Sequence, residues 1–218
     1  MLQYSMSRIK QKRISELCLE YSFGEHINQE INSSVLKVYR FIKDPSLFKE
    51  LKIVDLVPTY TTLAIHFEID SPLYDDEKVL ENLFTDALTY DIKTDAKQHQ
   101  INVSYNGADI EYLSKTLHLT KEEIVKIHTK KIYTIAMLGF RPYFPYLLGL
   151  DTRLQTPRRA NPRVSVPKGS VAIASNQTGI YPETSPGGWH ILGSTDFENY
   201  SDLTAGDTIV FKEIKNAT

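Results

Sequence analysis

Along roughly the first hundred residues the hydrophobic positions alternate between a period of two and a period near 3.6. In SELCLEY, Leu17, Leu19 and Tyr21 fall on one face and Glu16, Cys18 and Glu20 on the other, which predicts a strand. HINQEINSSVLKVYRFI changes period: Ile27, Ile31, Val35, Val38 and Ile42 make a helical stripe, stopped by Asp44-Pro45. KIVDLV, Pro58 and TTLAIHFEI read as two strands, with Leu63, Ile65, Phe67 and Ile69 alternating with Ala64, His66 and Glu68. DDEKVLENLFTDAL returns to the helical period, turning Val79, Leu80, Leu83, Phe84 and Ala87 inward behind acidic residues in its first turn. QINVSY completes a β-α-β-β-α-β order, the split βαβ or ferredoxin-like plan.

The polar stretch DIKTDAKQHQ places a domain boundary near residue 96, dividing the chain into 1–96 and 97–218. Two short helices follow, DIEYLSKTLH and TKEEIVKIH, the second opened by a capping box of Thr120 and Glu123. From Lys131 onward the pattern is short strands between Gly/Pro turns. KIYTIAML is apolar on both faces, as a strand inside a barrel or sandwich would be, and RVSV, SVAIAS, TGIYP, WHILG and DTIVFKEI follow it. The fold class is α+β: an α/β unit followed by a closed or sandwiched β unit.

Composition narrows the function. At 218 residues and 41% hydrophobic content the chain can bury a sizeable core. A formal charge of −2 gives no global field toward nucleic acid or anionic membrane, so any anion site is local. Cys18 is the one cysteine, which excludes an internal disulfide framework and fits a reducing compartment. No apolar run reaches the roughly 20 residues of a membrane span, and MLQYSMSRIKQKR lacks the apolar core of a secretory signal. The expected location is cytoplasmic. There is no P-loop, no dinucleotide-binding glycine motif, no nucleophile elbow and no H-E-x-x-H, and the six histidines lack metal-ligand spacing. No metal site is expected.

The candidate chemistry concentrates in two segments. TPRRANPR carries Arg158, Arg159 and Arg163 on backbone stiffened by Pro157 and Pro162, so little entropy is lost when a guanidinium fork engages a carboxylate or phosphate. The competing reading for each is a structural role, tying strands together or meeting a partner subunit. NQTGIYPETSPGGWHILG offers Gln177, Thr178 and Tyr181 as neutral groups able to orient a small amide, with Gly179, Gly187 and Gly188 permitting close backbone approach; its alternative reading is a pair of barrel-closing turns with Trp189 as core filler. GFRPYFPYL is either an aromatic pocket wall or a loop over a barrel end. His128, ending its helix, is either a general base or a residue interacting with the helix dipole.

The string PRRANPRVSVPKGSVAIASNQTGIYPETSPGGW closely resembles the family of 5-oxoprolinase B subunits, also called KipI-like or allophanate hydrolase subunit 1, and the resemblance continues through AGDTIVFKEI. It implies an N-terminal ferredoxin-like domain and a C-terminal cyclophilin-like β-barrel. It also implies a heteromeric enzyme in which this chain, with its C and A partner proteins, opens 5-oxo-L-proline to L-glutamate. ATP is the co-substrate of that complex, and no cofactor is tightly bound. On this reading Arg158, Arg159 and Arg163 meet anionic groups, Gln177 and Tyr181 orient the lactam, and His128 transfers a proton. The sequence departs from the family pattern at Ala108 in YNGADI, at Tyr143 where glycine is usual, and at Ser194 where a basic residue is usual. The alternative within the family is a non-catalytic protein that binds and inhibits a sensor histidine kinase. Barrel type alone suggests a third reading, a prolyl isomerase.

Overall fold

The computed structural model describes residues 9–74, 78–89 and 96–214. The chain forms two compact units, Met1–Asp95 and Ala96–Thr218.

In the first unit, β1 (Lys10–Ser15) and β2 (Cys18–Ser22) precede α1 (Gln29–Ile42) and α2 (Pro45–Glu50). Then come β3 (Ile53–Pro58), β4 (Thr62–Phe67) and α3 (Lys78–Thr89). The four strands form an antiparallel sheet in the order β1-β2-β4-β3. Period-two positions Leu19, Tyr21, Leu63, Ile65 and Phe67 are buried, as are Val35, Val38 and Ile42 of α1 and Leu80, Phe84 and Ala87 of α3. The helix α1 starts later than its apolar pattern suggests. Asn28 is the N-cap, its side chain accepting from Ile31 N at 2.8 Å, so Ile27 lies outside the helix and is exposed. Asp44-Pro45 ends α1 and also starts α2: the Asp44 carboxylate accepts from Ser46 N and Leu47 N, and proline occupies the first helical turn.

The expected completion of this sheet by QINVSY does not occur. That segment is β5 (Gln98–Val103), and it runs parallel to a strand of the second unit over six residue pairs, from Thr208–Gln98 to Glu213–Val103. Beside β2 lies β1 instead. Its sequence KQKRIS is exposed at five of six positions, so it has no apolar alternation by which to be recognised.

The second unit contains β5, α4 (Ile110–Leu117), α5 (Lys121–Thr129), β6 (Ile132–Leu138), β7 (Pro145–Leu148), β8 (Arg163–Val166), β9 (Ser170–Ala174), β10 (Gln177–Ile180), β11 (Ser185–Gly187), β12 (His190–Ser194) and β13 (Thr208–Glu213). Seven strands form one sheet in the order β12-β9-β10-β7-β6-β13-β5. Its two ends nearly meet. Ser104, just past β5, exchanges backbone hydrogen bonds of 2.8 and 2.9 Å with Ser194 at the end of β12. Gly107 N and Asp109 N continue that seam onto Leu192 O and Ile191 O. A Cβ at Gly107 would overlap the backbone of Ile191 and Leu192, and one at Gly193 the carbonyl of Ser104, so the seam closes only between glycines.

The barrel interior is filled by alternating positions such as Ile101, Ile135, Leu147, Ile173, Leu192 and Phe211. Strand β9 is buried on both faces. Val171 and Ile173 point into the interior core, while Ala172 and Ala174 join a second cluster with Phe144, Val166, Tyr181, Trp189 and Ile191. The two-stranded ribbon of β8 and β11 supplies Val166 to that outer cluster. Strand β6, read as apolar on both faces, is fully buried on one only: Tyr133 and Ile135 are buried and Ile132 is exposed.

Candidate functional site

Three loops meet at the edge of the outer cluster. The β6–β7 turn is closed by backbone bonds from Gly139 N to Phe144 O, Arg141 N to Gly139 O and Phe144 N to Arg141 O. The arginine loop is pinned at three points: Ser175 N donates to Thr156 O, His190 Nε2 to Pro157 O at 3.0 Å, and Arg159 N to Gly188 O at 2.8 Å. The third loop runs from Tyr181 to Trp189. Between them is a cavity of about 240 Å³ lined by Phe140, Phe144, Tyr146, Arg158, Tyr181 and Trp189, with Pro162, Pro186, Gly187 and Gly188 completing its wall.

The aromatic walls are set by edge-to-face packing on Phe144, itself 1% exposed. Its ring stands at 90° to Tyr181 with centroids 5.1 Å apart and at 87° to Trp189 at 5.6 Å, and Tyr146 meets Trp189 at 5.7 Å. The Tyr181 hydroxyl lies where a Gly187 Cβ would be, so only glycine allows this ring position. Burial raises the Tyr181 phenol above its ordinary pKa; the Trp189 backbone amide and the charges of Arg158 and Arg163 act against that rise. Tyr146 is likewise raised by burial and opposed by Arg158. Both hydroxyls therefore stay protonated at neutral pH, and one guanidinium charge acts on both. The result is an apolar box with a cationic, hydrogen-bonding end, and no carboxylate lines it.

The arginine trio divides. Arg158 faces the cavity, while Arg159 and Arg163 are committed to Asp109, a residue that sequence reasoning missed. Arg163 makes a two-pronged contact, Nη1 to Oδ2 and Nη2 to Oδ1, both 2.8 Å. Arg159 Nη1 donates to Oδ1 at 2.6 Å, and Ile191 N donates to Oδ2 at 2.7 Å. Asp109 is 2% exposed. Burial alone would raise its pKa, but the hydrogen bonds from Arg163 and Ile191 N, with the charges of Arg163 and Arg159, hold it below the usual carboxylate range. The cluster ties the start of α4 to β12 and to the arginine loop, so it fixes the backbone that presents Arg158. Asp109 is the acid of YNGADI; only its side-chain partners distinguish it from an ordinary helix-start aspartate.

The other expected site residues separate as well. Tyr181 is in the cavity wall. Gln177 does not line the cavity. It is buried in β10, at the end of the strand remote from Tyr181. His128 is no general base here: it is completely buried in the barrel interior, stacked on Phe211 at 4.7 Å. The Thr178 hydroxyl donates to Ala172 O, so His128 Nε2 donates to Thr178 Oγ1 at 3.0 Å, and His128 Nδ1 accepts from Tyr105 at 2.7 Å. Burial pushes its pKa down to about 3, which keeps the ring neutral. Its helix position suggested an accessible base, but the packing of α5 on β13 turns the ring inward.

None of the three departures from the family pattern lines the cavity. Ala108 is exposed beside Asp109, and Ser194 belongs to the barrel seam. Tyr143 has φ +64°, the left-handed region that suits glycine, and its side chain is half exposed and does not fill the cavity. Tyr143→Gly is expected to raise stability by about 1 kcal/mol, the relieved Cβ strain less the extra unfolded-state entropy of glycine. A thermal midpoint unchanged or lowered in the variant would contradict this. Phe140 shares the same backbone region at φ +64° and stands 59% exposed at the cavity rim.

Among the described residues, no group of three histidine, cysteine, aspartate or glutamate side chains is placed to hold a metal ion.

This mixed α/β architecture with its nearly closed barrel is that of the carboxyltransferase domain, subdomain C and D, whose family model matches residues 9–209. The crystal structure of TTHA0988 superposes with a TM-score of 0.77 at 30% identity, covering 93% of this chain and 40% of that one. Among curated relatives, the 5-oxoprolinase B subunit of Bacillus subtilis is 30% identical over 95% of this chain and 93% of its own length. The B subunit of Haemophilus influenzae is 42% identical over 61% of this chain and 66% of its own. The chain belongs to the 5-oxoprolinase B-subunit family.

Proposed function

We propose that this chain is the B subunit of an ATP-dependent 5-oxoprolinase, acting with the C and A proteins of that complex to convert 5-oxo-L-proline to L-glutamate. The observation that carries the reading is its 30% identity to a protein of that name across nearly the whole of both chains. Its first unit is a ferredoxin-like variant in which β1 takes the place of the last strand, and its second a cyclophilin-like barrel. The working location is the cytoplasm; no helix among the described residues is long and apolar enough to cross a membrane.

The site's chemistry supports a binding share in the reaction. A five-membered lactam is a stable amide, and phosphorylating its oxygen makes a leaving group. Overall, one water is added across the ring C–N bond and a second is consumed as ATP becomes ADP and phosphate. A cavity of about 240 Å³ lies below the range of drug-sized pockets, so it suits a small ring and not a nucleotide. ATP is therefore handled elsewhere in the assembly. The carboxylate-free cavity supplies no general base, so the residues of this chain position and desolvate while the partners complete the chemistry.

Co-expression with the C and A proteins is expected to give a complex that forms glutamate and ADP together from 5-oxo-L-proline and ATP. An assembled complex that makes neither ends the reading. The kinase-inhibitor alternative has no comparable support among the named relatives.

A further inference from the structure

The cavity has a more particular chemistry than its aromatic content alone. Its cation, Arg158, sits in a loop held at Thr156, Pro157 and Arg159 by backbone and imidazole contacts, so the guanidinium is presented from fixed backbone. Unlike Arg159 and Arg163, it has no carboxylate partner among the described residues. Its charge acts on the hydroxyls of both Tyr146 and Tyr181. The rest of the lining is rings and small backbone: Phe144, Trp189 and Phe140 with Gly187 and Gly188.

We propose that this is a carboxylate-anchored lactam site: Arg158, with the Tyr146 and Tyr181 hydroxyls, receives the carboxylate of a small cyclic acid, and Phe140, Phe144 and Trp189 enclose its uncharged ring. The assignment rests on the subunit reading for the identity of that acid, 5-oxo-L-proline. A guanidinium fork meets a carboxylate with two parallel hydrogen bonds, and phenol donors add to them. The lactam ring carries no charge, so an apolar box desolvates it at little cost. The same walls discriminate. L-Proline and L-glutamate carry an ammonium group, and the cavity offers that group no carboxylate while placing Arg158 within the same small space. Ring opening creates such an ammonium group. The site therefore holds substrate better than product and favours release after hydrolysis.

The test uses a built-in reporter, since Trp189 is the one tryptophan of the chain and lines the cavity. Titrating the full chain, and the assembled complex, with 5-oxo-L-proline is expected to change tryptophan fluorescence saturably, with calorimetry giving the same Kd. 2-Pyrrolidinone, which keeps the ring and lacks the carboxylate, is expected to bind at least tenfold more weakly, as are L-proline and L-glutamate. Arg158→Gln is expected to raise Kd for 5-oxo-L-proline at least tenfold with an unchanged thermal midpoint, and Arg158→Lys to fall between. Equal binding of 2-pyrrolidinone, an unaltered Kd in Arg158→Gln, or no saturable binding to chain or complex overturns the proposal. If the Arg158→Gln complex forms glutamate with unchanged KM, the site assignment falls and the subunit reading stands. If the wild-type complex forms no glutamate while the binding pattern holds, the reverse follows.

Discussion

Asp109→Asn is expected to lower the stability of the chain by about 3 kcal/mol, the lower end of what breaking a buried ion pair costs. The substitution keeps the size of the side chain and removes its charge. One amide oxygen then faces donors that a carboxylate served with two, and the new NH₂ points at guanidinium or backbone N–H groups. The lower end of the range applies because the Arg159 and Arg163 side chains retain 30 and 23% of their surface in water, which softens the penalty of leaving them unpaired. Urea unfolding at neutral pH measures it through the transition midpoint at constant slope. A loss under about 1 kcal/mol would mean the cluster is not holding the arginine loop. A second readout follows from the loop's attachment: ligand binding in the cavity should weaken even where Asp109→Asn remains folded, because Arg158 is presented by the backbone that Asp109 secures.

Acidification is expected to destabilise the protein well before its carboxylates titrate. His128 has a folded pKa of about 3, against about 6.5 in an unfolded chain. Well above pH 6.5 the ring is neutral in both states and contributes no pH dependence. Below it the unfolded chain binds a proton that the folded one refuses, so stability falls with pH until the folded pKa is reached. Between pH 7 and 4.5 this amounts to about 3 kcal/mol. His190, whose pKa is also lowered by burial, adds loss of the same sign. Asp109 has the opposite logic: its folded pKa is depressed, so its contribution is present above about pH 4 and disappears only below. The two windows are separable. His128→Gln should flatten the slope between pH 6.5 and 4.5 whatever its absolute stability, and the His128 ring proton should show no titration above pH 5 by NMR. An imidazole titrating near 6 in the folded protein would refute the buried network.

What could be read locally was what short-range bonds determine. The Thr120–Glu123 box of α5 is a pair of contacts within three residues and was legible as such, whereas Asp44-Pro45 was read only as the stop of α1 and the Asn28 cap was passed over because the apolar stripe runs on to Ile27. Most strands of the barrel were visible as short apolar runs between turns, but β7, within and just after GFRPYFPYL, was read as a pocket wall or a covering loop. Strand β1 was not, since an exposed edge strand needs no apolar face. Strand β5 was seen as a strand, with Ile101 and Val103 alternating inward, but assigned to the wrong sheet. Its backbone partners lie 110 residues further on, and alternation carries no information about which chain segment pairs with it.

The candidate site divides the same way. A proline-braced run of arginines and a glycine-rich aromatic segment are chemical facts of the sequence, and they marked the right region. That Arg158 meets a cavity while Arg159 and Arg163 meet Asp109, 50 and 54 residues away, depends on where each guanidinium emerges from the turn. Tyr143 shows both levels at one position: the sequence alone exposes it as an aromatic where the family pattern has glycine, and only the backbone angle of +64° explains why glycine belongs there. His128 shows the converse, a residue type suited to proton transfer made inert by burial. By itself, then, the sequence determined four of the helices with the capping box of α5, most of the apolar strands and the cationic, aromatic character of the site, because these follow from residue chemistry and near neighbours. The tertiary structure alone decided strand partners, barrel closure between Gly107 and Gly193, and which charges are left for a ligand, because each is a contact between segments far apart in the chain.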